Sequence, residues 1–297
     1  METSARSHSH RHVRDLLSRN GLSPEKRLGQ HFLCSPGLPR AIVELSGIDA
    51  ACDVLEIGPG LGALTLELSR AAQGVVAVEA DRALIPLLED TLKGCANVTV
   101  IHGDILKTDL AALVGEHFTD CQTQPREKVV CANLPYNITT PVLTLLLDSG
   151  LFGSITVMVQ SEVARRLCAE AGTKEYGAFT VYAGVRAESE ILLDVPPECF
   201  VPPPKVNSCV VKLTRRAYPL GHPEAFSRVV RAAFSQRRKT LPNALAGFCG
   251  LTKNEIAEAV ESCGVPPMAR GETLDIAAFD RLTCRIWERC HHKEIGG

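Results

Sequence analysis

No apolar run in this chain approaches the roughly 20 residues that a bilayer span requires, so nothing in it predicts a transmembrane helix. No C-x-x-C pair occurs either. The twelve cysteines are scattered singly, which suits free thiols in a reducing cytoplasm better than a disulfide framework or a zinc ribbon. Cys284 and Cys290 with His291 and His292 come nearest to a metal cluster. They lack the spacing of a structural site, and no metal is expected. The first fourteen residues contain no apolar stretch, which argues against a secretory signal, and Glu2 and Asp15 weigh against a transit peptide. Repeats and low-complexity tracts are absent. Acids are nearly absent from one stretch: residues 205–240 hold nine Lys and Arg but only Glu224, a charge of +8.

That imbalance is hidden in a total of only -2. Residues 1–40 carry +4, 41–204 carry -12 and 241–297 carry -2. Basic stretches therefore flank an acidic body, the pattern of a protein that grips a polyanion at its edges. The 297 residues, 45% apolar and 22% charged, suffice for a large and a small globular domain. Apolar runs at 53–58, 74–79, 98–104, 128–132 and 154–160 read as buried strands. Helical patterns lie between and after them at 61–72, 84–92, 141–147 and 162–170. The alternation predicts an α/β fold with a parallel sheet covered on both faces. Runs at 190–195 and 208–213 bracket a Pro-rich loop and read as an edge hairpin. After residue 216 only helical periodicity remains, at 224–236, 240–248, 252–262 and 275–290. The expected organisation is a flexible basic tail over 1–25, an α/β domain over 26–216 and a helical domain over 217–297.

Three strand ends carry ligand-type residues. Gly58-Pro59-Gly60-Leu61-Gly62 follows the first strand and opens a helix, where glycines let the backbone approach a ligand beside the helix N-terminus. Glu79 closes the next strand, twenty-one residues after Gly58, where a carboxylate can accept both ribose hydroxyls of an adenosine cofactor. Asp104 ends the third strand and can accept from an adenine amino group, or simply cap the following turn. The glycine spacing fits NAD as well as S-adenosylmethionine.

The fourth strand ends in Asn133-Leu134-Pro135-Tyr136. An amide oxygen and a backbone carbonyl can hold the amino group of a flat base there, while the ring stacks on its face. With this tetrapeptide the set resembles the Rossmann-like adenine N6-methyltransferases, and most closely the ribosomal RNA small-subunit adenine dimethyltransferase family. Further segments carry the likeness over about residues 24–290. They are Lys26-Arg27-Leu28-Gly29-Gln30-His31-Phe32-Leu33, Gln160-Ser161-Glu162-Val163-Ala164-Arg165-Arg166, Phe200-Val201-Pro202-Pro203-Pro204-Lys205-Val206 and Phe234-Ser235-Gln236-Arg237-Arg238-Lys239-Thr240-Leu241.

The resemblance implies S-adenosylmethionine as cofactor. Gln30, His31 and Leu33 would fold across its methionine end and Gly58 and Gly60 would approach it. Glu79 would take the ribose, Asp104 the adenine, and Asn133 the junction with substrate. It also implies that Tyr136 and Phe200 sandwich the target base and that Lys205, Arg237, Arg238 and Lys239 meet RNA phosphates. The partner would be small-subunit rRNA inside a nearly assembled small ribosomal subunit, met by a monomer in the cytoplasm. The rivals are the large-subunit adenine methyltransferases of macrolide resistance, a non-catalytic RNA-binding assembly factor on the same fold, and an NAD-dependent oxidoreductase. The stretch 116–127 reads as a surface loop.

Overall fold

The computed structural model describes residues 9–25, 28–118 and 126–295, with side chains as far as residue 291. Lys26, Arg27, His8, most of the 116–127 stretch and the side chain of His292 lie outside the described residues. The chain forms two compact units. One holds the residues up to Ala164 together with Glu190–Arg215; the other holds Arg165–Ser189 and the chain from Arg216 onward.

In the first unit, β2 (Cys52–Ile57), β3 (Gly74–Glu79), β4 (Val98–His102), β5 (Glu127–Asn133) and β6 (Ser154–Gln160) are parallel neighbours in the order 4-3-2-5-6. Every residue of β2 is buried, as expected of a parallel strand covered on both faces. Helices α2 (Leu38–Ser46), α3 (Ala63–Ala71), α4 (Ile85–Thr91), α5 (Leu110–His117) and α6 (Thr139–Ser149) alternate with these strands. At one end of the sheet the order continues through β9 (Ser208–Arg215), which runs antiparallel to β6, and then β7 (Ala187–Val195).

Two features depart from the sequence reading. The expected flexible tail contains a helix, α1 (His10–Arg19), capped by the Ser9 hydroxyl, which accepts from the His12 amide. Its Val13 and Leu17, one turn apart, pack into a cluster with Phe32, Leu61, Leu84 and Val201, so burial of a narrow stripe holds an otherwise polar segment in place. Second, β1 (Phe32–Leu33) pairs antiparallel with β8 (Phe200–Val201), a two-residue strand inside the Pro-rich segment.

The domain boundary also shifts. Residues 165–189, expected to continue the α/β domain, belong to the helical unit, which contains α8 (Ala178–Gly184), α9 (Pro223–Ser235), α10 (Leu241–Ala244), α11 (Lys253–Ser262) and α12 (Ile276–Ile295). α7 (Ser161–Leu167) carries the chain from one unit into the other. Tyr176 explains the assignment: it is buried among Phe226, Leu241 and Phe279, and its hydroxyl donates to the Leu274 carbonyl at 2.8 Å. α11 starts on a capping box in which the Thr252 and Glu255 side chains each accept from the other's backbone amide.

Candidate active site

The carboxyl ends of β2, β3 and β5, with Asp104 just beyond β4, converge on a cavity of about 660 Å³, the place where open α/β sheets bind ligands. Its floor is the glycine loop. Gly58 (φ 69°) and Gly60 (φ 58°) take left-handed backbone, which residues with a Cβ avoid. A Cβ on Gly60 would also stand 3.1 Å from the Phe32 ring.

Glu79 is nearly buried at the end of β3. Its Oε2 accepts from the Gly60 amide at 3.0 Å and its Oε1 from the Asp81 amide at 2.9 Å. Burial pushes its carboxyl above the usual range, and those amides offset part of the rise. Asp81, which sequence reasoning did not single out, extends the array: Gln30 Nε2 donates to its Oδ2 at 2.8 Å, and Gln30 Oε1 accepts from the Glu25 amide at 2.8 Å. One chain of hydrogen bonds therefore ties the segment before β1 to the end of β3. The signal for Asp81 was only its place two residues beyond the strand-ending acid.

A second residue was missed. Glu56 lies in the middle of an apolar strand run, fully buried, and lines the cavity. Burial raises its carboxyl to about 8, and the neighbouring Glu79 adds to the rise. Thr65 is beside it without a well-formed hydrogen bond, and Glu56 Oε2 has no partner among the described residues. An acid interrupting a buried strand was the visible clue.

Asp104 lines the cavity and also caps the short turn Ile105–Lys107, its Oδ1 accepting from the Leu106 amide at 3.1 Å. The capping reading of Asp104 is therefore borne out, on a side chain that also lines the cavity. Leu33, at the end of β1, lines the cavity as well.

Asn133, Leu134, Pro135 and Tyr136 stand together along the wall that leaves β5. Asn133 Nδ2 donates to the His31 carbonyl at 3.0 Å. That bond fixes which end of the amide is the donor and leaves Oδ1 as the acceptor. The Tyr136 hydroxyl and Ser208 Oγ are 2.6 Å apart, and burial pushes the phenol up. The His31 ring stacks on Tyr136 at 5.2 Å and meets Phe200 edge-on at 6.5 Å. Its Nδ1 donates to the Pro202 carbonyl at 2.7 Å. Phe200, read as a wall of the base site, is wholly buried in the sheet core with Leu33 and Val210 and does not line the cavity. In this conformation His31, not Phe200, faces Tyr136.

The basic residues separate in the same way. Lys205, Arg238 and Lys239 are exposed. Arg237 is exposed too, but it is engaged: it bonds Glu272 at 3.0 Å and the carbonyls of Lys174 and Tyr176, holding its own helical unit together.

In a dinucleotide-binding sheet the last strand continues parallel to its neighbour; here β9 runs against β6, and the wall beside the glycine loop ends in an amide and a stacking ring. This is a Rossmann-like methyltransferase. The family model described as ribosomal RNA adenine dimethylase matches residues 21–282, and the chain belongs to that family. It is 44% identical over 278 residues to the ribosomal RNA small subunit methyltransferase A of Geobacillus thermodenitrificans, covering 91% of this chain and 94% of the relative. The protein of the same name from Shouchella clausii is also 44% identical, with 92% and 93% covered. Among solved structures, a dimethyladenosine transferase from Plasmodium falciparum superposes with a TM-score of 0.72 at 25% identity, over 87% of this chain and 98% of that one. The 23S rRNA methyltransferase ErmE does so with 0.67 at 26%, over 86% and 98%.

Proposed function

We propose that this enzyme uses S-adenosylmethionine to dimethylate the N6 amines of two adjacent adenines in the 3′-terminal hairpin of small-subunit rRNA. It would act as a cytoplasmic monomer on a nearly assembled subunit. The observation that carries the chemistry is Asn133, with its amide oriented by His31, standing on the wall of the cavity that holds Glu79 and the glycine loop. The relatives named above favour the small subunit over the large one, because the two small-subunit enzymes are far closer in sequence than ErmE.

The residues fit the cofactor. Glu79 would take the ribose hydroxyls, Gly58 and Gly60 would admit the chain of the methionine part, and the orphaned Glu56 oxygen offers a buried carboxylate to a cation. Bound there, S-adenosylmethionine supplies an activated methyl group on a sulfonium. Asn133 Oδ1 and the Leu134 carbonyl would accept the two N6 hydrogens, turning the nitrogen lone pair toward the methyl and strengthening as positive charge grows on N6. Tyr136 would hold the base by stacking, a contact of about 1–3 kcal/mol. The base would take the face of Tyr136 that the His31 ring covers in this conformation. A neutral amide at position 133 accepts no proton, so the N6 proton leaves to water.

The test is transfer of labelled methyl groups to undermethylated small subunits, with naked large-subunit rRNA alongside and the modified bases mapped. Two adjacent dimethyladenines in the small-subunit 3′ hairpin are expected. Transfer to large-subunit rRNA alone would overturn the reading.

Glu56 gives a pH signature. With its carboxyl raised to about 8 it is largely neutral at pH 7 in the free protein. A cationic ligand beside it favours the carboxylate, so binding releases a proton. Cofactor affinity should therefore rise with pH and level off above about 8, whereas Glu56→Gln should lose that rise. Calorimetric titrations between about pH 6.5 and 9 would check this, the variant serving as control for titration of the ligand itself. Parallel pH profiles for the two proteins would exclude Glu56 from the contact.

A further inference from the structure

Helix α1 turns its two faces to different tasks. Val13 and Leu17 are buried against Phe32, Leu61, Leu84 and Val201. The first three of these partners line the cavity, and Val201 lies in β8, which leads into Pro202–Lys205. At 100° per residue, Arg11 and Arg19 sit opposite that buried stripe, on either side of Asp15, with Arg14 on its flank. All three are exposed. His10 is held against the β8 edge, its Nε2 donating to the Glu198 carbonyl. The acids here are Asp15 on the helix and Glu198 beside it.

We infer that the outer face of α1 is a phosphate-binding surface that contacts the rRNA backbone flanking the target hairpin. The inference rests on the RNA substrate proposed above, and three observations favour it over an idle solvated face. The cations are carried on a helix docked through its apolar stripe, so little backbone entropy remains to be lost on binding. The helix packs on residues that shape the cavity wall and on the strand that leads into the Pro-rich segment, so its cations are held close to the site. Exposed Lys205 continues the positive charge along that segment. Arginine is suited to the role because its planar fork matches phosphate oxygens in pairs. Contacts of this kind position the RNA and carry no sequence information.

The experiment compares the full chain with Arg11→Gln/Arg14→Gln/Arg19→Gln and with the corresponding triple Lys variant. Methylation of undermethylated small subunits is measured alongside anisotropy of a fluorescein-labelled RNA hairpin, both as a function of potassium chloride. In the Gln variant KM for subunits should rise about tenfold, with kcat and cofactor affinity within about twofold of the parent. The salt dependence of hairpin binding should become shallower by about one unit of log–log slope per removed contact. The Lys variant, which keeps the charge and loses the paired contacts, should retain the parent's salt slope with an affinity between those of the parent and the Gln variant. Unchanged hairpin affinity and salt slope in the Gln variant would overturn the inference. A parent enzyme that fails to methylate small subunits would instead overturn the proposed substrate, while the hairpin measurements still decide the role of α1.

Discussion

Asn133→Ala should lower kcat by about 10²–10³-fold, the loss expected when one preorganised hydrogen-bond partner of a developing charge is removed. Cofactor affinity should stay within about threefold of the parent. The separation follows from the geometry: Asn133 Nδ2 is engaged by the His31 carbonyl, so the opposite end of the amide would serve the substrate amine. Single-turnover methylation with saturating cofactor, paired with calorimetric cofactor binding, checks both halves. Equal loss in the two measurements would assign Asn133 to the cofactor rather than to N6.

The second large effect is expected at Glu79. Its carboxylate would accept two ribose hydroxyls while it already receives the Gly60 and Asp81 amides. Hydrogen bonds to a charged partner contribute about 1.5–3 kcal/mol each, so Glu79→Ala should raise the cofactor Kd by at least about 10²-fold. Glu79→Gln, which keeps the shape and loses the charge, should fall between variant and parent. At saturating cofactor kcat should change little, since Glu79 lies away from the amine. A Kd that stays near the parent value would reduce Glu79 to a brace for the glycine loop.

The parallel strands were legible because burial on both faces forces unbroken apolar runs, and the cavity-lining residues at their ends follow from where such runs stop. β1 and β8 were not legible, since two residues are too few to show a period and β8 is embedded among prolines. Helix α1 was hidden for a related reason: Val13 and Leu17 are the whole of its buried stripe, and the flanking His and Arg residues read as a solvated tail. Among the site residues, Glu79 and Asn133 showed themselves by position. Glu56 did not, because a residue inside a buried run reads as sheet core. Phe200 misled in the opposite sense: an aromatic in the expected target loop reads as a platform, whereas the fold turns it into the core behind His31. Arg237 resembled its basic neighbours until its ion pair with Glu272 set it apart, a contact between residues distant in sequence.

The pairing of β1 with β8 has a consequence for how the enzyme comes into being. His31 and Pro202, joined by a hydrogen bond beside this pairing, are 171 residues apart. Closing so long a loop is slow and entropically costly. During synthesis the glycine loop, Glu79 and Asn133 all leave the ribosome well before Phe200–Val201 does. A nascent chain therefore has the parallel strands of a nucleotide pocket before it has the clasp that orients His31. The step that completes the site is the arrival of a two-residue strand near the end of the first unit.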